Sequence, residues 1–345
     1  MKKLSFLVAL LLVFGIFIFA GCAKNEDALS NESTELTTEA IPLPDPEELE
    51  ISSFFETYIN TNNRPIAIMV DNDNDDARPH AGLNEAYLIY EMVVEGGATR
   101  FVAFYRTDTE KIGPVRSSRH YFLDYVMEND AIYTHYGWSP QAIKDISAFG
   151  INKINGVLGG DGEIFWREQK FKGDWHSAYT SIKNIKEMSE KKGFSLNSDH
   201  KNGLKYAQKY FDLENENIAN EIYLPYSGMY KTGYTYNPET KLYEKTINSM
   251  PHVMQNGETM TVKNIIIELI YDTSLGDGTD RRNVNTTGSG EGYFITNGKY
   301  EKITWSKPSR RANTVYKDAN GQEIKINPGK TIVNIISPSA GITIQ

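Results

Sequence analysis

The sequence predicts an α/β (α+β) N-terminal domain followed by a mainly β C-terminal domain. Three observations carry that prediction. Between about residues 60 and 205, short apolar β-prone runs alternate with helix-patterned segments, the order expected of helices packed on a sheet. Beyond about residue 220 the helical periodicity fades, and alternating β-prone runs surround Asn-Pro and Asn-Gly turns. The chain before residue 60 fits neither pattern. The expected organisation is a leader over 1–21, a lipidated Cys22 with a disordered acidic tether over 22–60, the α/β domain over 61–205 and the mainly β domain over 206–345.

The leader begins with Lys2 and Lys3, continues as an apolar run from Leu4 to Ala20, and closes on "AGC". That is the pattern of a secretory signal peptide. Cys22 is the single cysteine, so no intrachain disulfide can form. Its place after Ala20-Gly21 resembles the lipobox of bacterial lipoproteins, with Phe19 where an aliphatic residue is usual. The resemblance implies a diacylglyceryl-Cys22 anchor in the membrane and a chain at the extracytoplasmic face of the cell membrane. From Lys24 to Glu50 nine acidic residues face one lysine, with few large apolar groups to offset the entropy of ordering. This stretch carries −8 and the leader +2, so of the total −9 only −3 falls on residues 51–345. The folded part is nearly neutral, and no basic stripe interleaved with aromatics points to nucleic acid.

Within the first domain, "RPIAIMVDN" (64–72) reads as a buried strand closed by Asp71 and Asn72. "YLIYEMVVEGGATRFVAFYR" (87–106) reads as a hairpin around Gly96-Gly97. Period 2 places Glu91 with Glu95, and Arg100 with Arg106, on shared faces. After Gly113-Pro114, "SSRHYFLDYVMEN" has helical spacing with Ser117 or Ser118 as its N-cap. "AIYTHYG" follows as a strand, and "SPQAIKDISAFG" as a helix capped by Ser139, entered through Pro140 and stopped by Gly150. In the second domain "GYTYNPETKLYEKTI", "GYFITNGKYEKITWSK" and "NTVYKDANGQEIKINPGKTIVNII" read as β-rich runs around turns. The Gly-rich "LGDGTDRRNVNTTGSGEG" reads as a mobile loop.

The chemistry concentrates in arginines. Arg116 and Arg119 are placed at a predicted helix start, where unpaired N–H groups favour anions, and Arg100 and Arg106 come from the preceding strand. Convergence of these four would suit bidentate recognition of phosphate or carboxylate. The same side chains could instead pair with Glu91, Glu95, Glu110 or Asp124 and tie the domain together. His176 lies in the aromatic "GDWHSAYTS", a ligand-wall candidate. His135, near a strand end, Asp71 and Glu95 are secondary candidates for a base. The histidines show no metal spacing, and "DNDNDDARPH" lacks the Gly and the Glu of a calcium loop, so no metal is expected. "SDHK" (198–201) and "KTG" (231–233) match penicillin-binding motifs but lie too close together for that fold. No cofactor motif is present.

"RPIAIMVDN", "EGGATRFVAFYR", "KIGPVRSSRHYFLDY", "THYGWSPQA" and "HSAYTS", in this order behind a lipobox, resemble the YerB-like lipoproteins of Gram-positive bacteria. The similarity continues through "ITWSKPS" and "INPGKTIVNI". The resemblance implies a membrane-anchored envelope protein with two domains of unknown function and no assigned reaction. The reading of the residues is a binding or adaptor protein for an anionic wall-related ligand, with wall-synthesis proteins as partners. An enzyme acting on phosphorylated or glycan wall precursors and a purely structural scaffold stand as alternatives.

Overall fold

The computed structural model describes residues 45–201 and 203–345; the leader, Cys22 and most of the acidic tether lie outside the described residues. The first part of the described chain runs α1 (Pro46–Phe54), β1 (Ile66–Asn72), β2 (Leu88–Val93), β3 (Thr99–Tyr105), α2 (Leu123–Glu128), β4 (Ile132–His135), α3 (Pro140–Ala148), β5 (Lys153–Asn155), β6 (Trp166–Arg167), β7 (Ala178–Tyr179) and α4 (Ile182–Lys191). The second part is strands: β8 (Glu221–Pro225), β9 (Lys231–Asn237), β10 (Leu242–Ile247), β11 (Met250–Pro251), β12 (Thr261–Val262), β13 (Asn264–Leu269), β14 (Asp272–Ser274), β15 (Arg282–Val284), β16 (Gly288–Thr296), β17 (Lys299–Lys307), β18 (Val315–Lys317), β19 (Thr331–Ile336) and β20 (Thr343–Ile344). An α/β region is thus followed by a mainly β one, as expected.

The two regions share a ten-stranded sheet in the order β18-β17-β16-β13-β19-β2-β3-β1-β4-β5. The seam is parallel, β19 lying between β13 and β2 with Asn334 beside Glu91. β1, β2, β3 and β19 are buried at every position, which is why they read as continuous apolar runs rather than alternating ones. One face packs on α1 and the segment through α2, through Ile51, Phe55, Phe122 and Val126. The other packs on α4 through Ile182 and Ile185, and on the second sheet, β11-β10-β9-β8-β20, through Ile222, Leu224 and Tyr234. The described residues therefore form one compact unit of three layers.

The hairpin around Gly96-Gly97, the strand at β4 and the capped helix α3 form where the sequence places them; Ser139 Oγ accepts from the Ala142 N–H. So does the Asn297-Gly298 turn, whose residues both take positive φ (49° and 77°), as a two-residue hairpin of the twist-matching kind requires.

Three expectations are corrected. Part of the stretch read as tether is helical: Asp45 caps α1, Pro46 enters it, and Ile51 and Phe55, four residues apart, bury on the core while the glutamates stay outside. Ser117 and Ser118 cap no helix; a 3-10 turn at His120–Phe122 leads into α2 without a side-chain cap. The segment read as a mobile loop, residues 275–292, carries β15, which pairs back on β14 just before it, and the first half of β16.

Candidate functional site

β1 and β4 pair in parallel from Ile66 to Ile68, and beyond that their ends separate around an inserted segment. The Arg116 N–H donates to the Met69 carbonyl, and the Tyr136 N–H donates to the Arg116 carbonyl. On the flanks the Asp71 N–H donates to Pro114 and the Ser118 N–H to Gly137. Crevices at the carboxyl ends of parallel strands are where open α/β sheets place ligands. Here the crevice is filled by "PVRS", which hangs Arg116 over the end of β1.

Asp71 stands at that end, fully buried, directly opposite Arg100 in the β1–β3 register. Its Oδ2 lies 2.6 Å from His176 Nδ1 and 3.0 Å from Arg116 Nε, and Oδ1 is 3.9 Å from Arg100 Nε. The Arg116 and Arg100 approaches are ion pairs without hydrogen-bond geometry, since neither Nε nor Asp71 Oδ1 has a hydrogen-bond partner. Arg100 Nη1 instead donates to the Ser117 carbonyl at 2.7 Å. Arg119 forms a fork on Glu95, Nε to Oε1 at 2.6 Å and Nη2 to Oε2 at 2.8 Å. The loop carrying His176 is set by Asp174, whose Oδ1 accepts the His176 N–H at 2.8 Å.

The electrostatics follow from this crowding. Burial pushes the Asp71 carboxyl up, but the His176 hydrogen bond and the charges of Arg100 and Arg116 outweigh it, holding it below the usual carboxylate value. His176 is raised above 6.5, first by its hydrogen bond to Asp71 and against its own burial. Burial raises Glu95 too, and Arg119 reverses the shift. Arg100 is brought down to about 10, by burial first and by the neighbouring Arg119 next. Because Nδ1 faces a carboxylate it carries the proton, which leaves Nε2 as the nitrogen free to accept or donate; nothing among the described residues bonds to it.

Of the sequence candidates, Arg100, Arg116, Arg119, His176, Asp71 and Glu95 are brought together. Arg106 is not: it follows the opposite end of β3, where it donates to the Asn63 carbonyl and stacks over Tyr87. Six residues of extended chain separate it from Arg100, about 20 Å. His135 is also elsewhere, buried against Tyr133, with Nδ1 at the Gly137 carbonyl and burial lowering it to about 4. Glu91, a possible arginine partner in the sequence, points to the other face, paired with fully buried Lys245 at 2.8 Å. Glu110 makes no ion pair with these arginines, and Asp124 pairs with Arg310.

Sequence reasoning passed over two residues. Trp175 was seen only as a neighbour of His176, yet it is 67% exposed and Arg116 lies 5.7 Å from its ring centre. Asp174, a buried acid in a Gly-marked loop, organises that loop. Among the described residues no group of three or more His, Cys, Asp or Glu side chains is placed to hold a metal ion.

Residues 56–195 match the family model described as protein of unknown function (DUF3048), N-terminal domain, and residues 222–333 match its C-terminal domain. The chain is 30% identical over 345 residues to "Putative lipoprotein YerB" of Bacillus subtilis (strain 168), covering 97% of this chain and 96% of that one. The crystal structure of the YerB protein from Bacillus subtilis matches with a TM-score of 0.72 at 27% identity, over 83% of this chain and 94% of that chain.

Proposed function

We propose, on the premise that the chain belongs to this YerB-like family of two DUF3048 domains, that it is an envelope lipoprotein which binds an anionic ligand at the Asp71–Arg116 cluster. Cys22 would anchor it at the extracytoplasmic face of the cell membrane; its Bacillus relative carries the name of a lipoprotein. The observation supporting the ligand is a charge imbalance. Three guanidinium groups, Arg100, Arg116 and Arg119, surround two carboxylates, Asp71 and Glu95, so one positive charge is left over before His176 is counted. The surplus has an outlet at Arg116. Its side chain is 21% exposed, nothing among the described residues accepts from its terminal nitrogens, and Trp175 lies beside it.

A phosphate or carboxylate taking the outer fork of Arg116 would keep Asp71 behind it, a geometry that favours a charged group with an apolar neighbour for the indole. The test is a thermal-shift titration of the full-length chain in detergent against wall fragments, lipid-linked phosphates and inorganic polyanions. At 100 times its dissociation constant a ligand that binds only the folded state adds about 2.7 kcal/mol. The wild type is expected to shift and Arg116→Ala not to shift; equal shifts in both would refute the assignment. A wall-synthesis protein as a further partner belongs to the same proposal and rests on location.

The Asp71–His176 pair favours a second reading, an enzyme acting on phosphorylated or glycan wall precursors. A buried carboxylate that fixes one imidazole nitrogen leaves the other poised as a base. His176→Gln separates the two: an enzyme loses turnover and still binds, whereas a binding protein has no turnover to lose.

A further inference from the structure

The arginine cluster occupies only part of one sheet edge. β2, β19 and β13 run parallel and end side by side on that same edge. Val93 leads into the Glu95–Gly97 turn, Ile336 into Ser337–Ser339, and Leu269 into Tyr271. Together with the β8–β9 turn these exits bound a groove of about 870 Å³. A second basin of about 270 Å³, with Asp75, Arg78 and Met229 on its walls, shares Gly96 and Gly97 with the first. Gly96 and Gly97 thus put bare backbone on the walls of both basins.

The glycines shape that wall. Gly97 has φ +74°, and a Cβ there would stand 2.7 Å from Ser227 Cβ, so only glycine lets the turn and the β8–β9 loop approach this closely. Gly96 has nothing within 4 Å of where its Cβ would be, so the floor is open above it. A groove of about 870 Å³, open above the bare backbone of that turn, has room for an extended, linear ligand.

Its chemistry narrows the class. Two cations, Lys231 and Arg282, are matched by two anions, Asp272 and Asp280, and Arg282 Nε already donates to Asp272 at 2.7 Å. The main basin therefore has no net charge with which to attract an ion. It offers instead a dense set of hydroxyl, carboxylate and amine groups; Ser337 Oγ and Ser339 Oγ, for example, lie 2.9 Å apart. An apolar ligand would leave these groups unpaired, at a cost in binding. At the rim Tyr271 is 64% exposed, so most of its ring is open to solvent. Polar groups that pair with hydroxyls, and one bare ring that covers a C–H face, are what a sugar ring requires.

We infer that this groove binds a linear, uncharged carbohydrate chain, with Tyr271 stacking on one pyranose ring and the Asp272–Arg282 pair accepting and donating to its hydroxyls. The site is distinct from the arginine cluster and does not depend on it. The experiment is calorimetric titration of the full-length chain in detergent with a β-1,4-linked N-acetylglucosamine pentamer, cellopentaose and an uncharged decapeptide, with saturation-transfer NMR to locate the bound rings. At least one pentasaccharide is expected to bind, at millimolar affinity or better. Loss of the stacking ring in Tyr271→Ala should weaken it roughly tenfold, with Tyr271→Phe within about twofold of wild type. Tyr271 is exposed, so these variants keep the fold. No binding of either oligosaccharide at about 5 mM, equal binding by Tyr271→Ala, or binding of the peptide in place of the sugars would overturn the inference.

Discussion

Asp71 and His176 hold each other in their charged forms, and the consequences can be measured one residue at a time. His176 is raised above 6.5, so its contribution to stability is fully present below that value and is lost as pH rises through its folded value. Asp71 is lowered below 3.8, so its contribution is present above that value and is lost as pH falls through its folded value. The pair thus stabilises most between about pH 4 and 6.5. Urea unfolding at pH 5.5 and 8.5 should show a larger gap between wild type and His176→Gln at the lower pH. Asp71→Asn leaves Arg100 and Arg116 facing each other across a neutral group, a broken buried pair that should cost roughly 3–5 kcal/mol. The same variant should bring the NMR titration of His176 back down toward or below 6.5. Much of this cluster was legible in sequence, because Asp71 closes an apolar run and Arg100 lies just past a Gly-Gly turn; the β1–β3 pairing then sets them opposite each other. Glu95 stood among the possible arginine partners in the sequence; what could not be read was which arginine it takes, 24 residues on, or that Asp71, 45 residues before Arg116, pairs with that arginine. Arg106 was misplaced for a simpler reason, since sharing a strand face says nothing about sharing a strand end.

The β2–β3 turn is the element on which both candidate sites lean. On one side Arg119 clamps Glu95, and on the other Gly96 and Gly97 line the groove. Gly97→Ala meets both a positive φ and the Ser227 side chain, so a loss of about 1–3 kcal/mol in chemical unfolding is expected. Beneath the same hairpin Glu91 is held by Lys245 and by the hydroxyls of Thr99 and Thr232, all buried. Lys245→Met should strand that carboxylate and cost roughly 3–5 kcal/mol, and Glu91→Gln on top of it should recover part of the loss. A double-mutant cycle read by urea denaturation checks this; strict additivity would refute the coupling. Elements with strong local signals, such as α3 with its Ser-Pro start or the Asn297-Gly298 hairpin, were readable because their physics is local. The β14–β15 hairpin was not, since three-residue strands, one before and one within a Gly-rich segment, carry too little alternation to separate from a loop. α1 was hidden by its own exposed glutamates, although Ile51 and Phe55 four apart mark the buried face.

At the scale of the molecule the decisive strand is the last long one. β19 lies between β2 and β13 and is buried at every position, so the sheet that begins at Ile66 is completed only by residues 331–336. A parallel strand in the middle of a sheet cannot be placed from its own sequence, because a fully apolar run has no face to declare. That is why the composition change near residue 206 was visible while the sheet running across it was not. The physical consequence concerns folding. If each region closed its own core, a fragment ending near residue 205 would fold; with β19 absent, β2 instead presents an open apolar edge and the face shared with β8 and β9 is uncovered. A chain stopped at Gly329 should therefore show no cooperative thermal transition, and one stopped after Ser339 should retain it, because only the short edge strand β20 is then lost. In the intact protein a single calorimetric transition is expected, with equal calorimetric and van't Hoff enthalpies. Two separated transitions would mean that the β13–β19–β2 seam opens before either half unfolds. The arginine cluster and the groove would then move apart as the seam opened, and their positions on one rigid sheet edge would no longer hold.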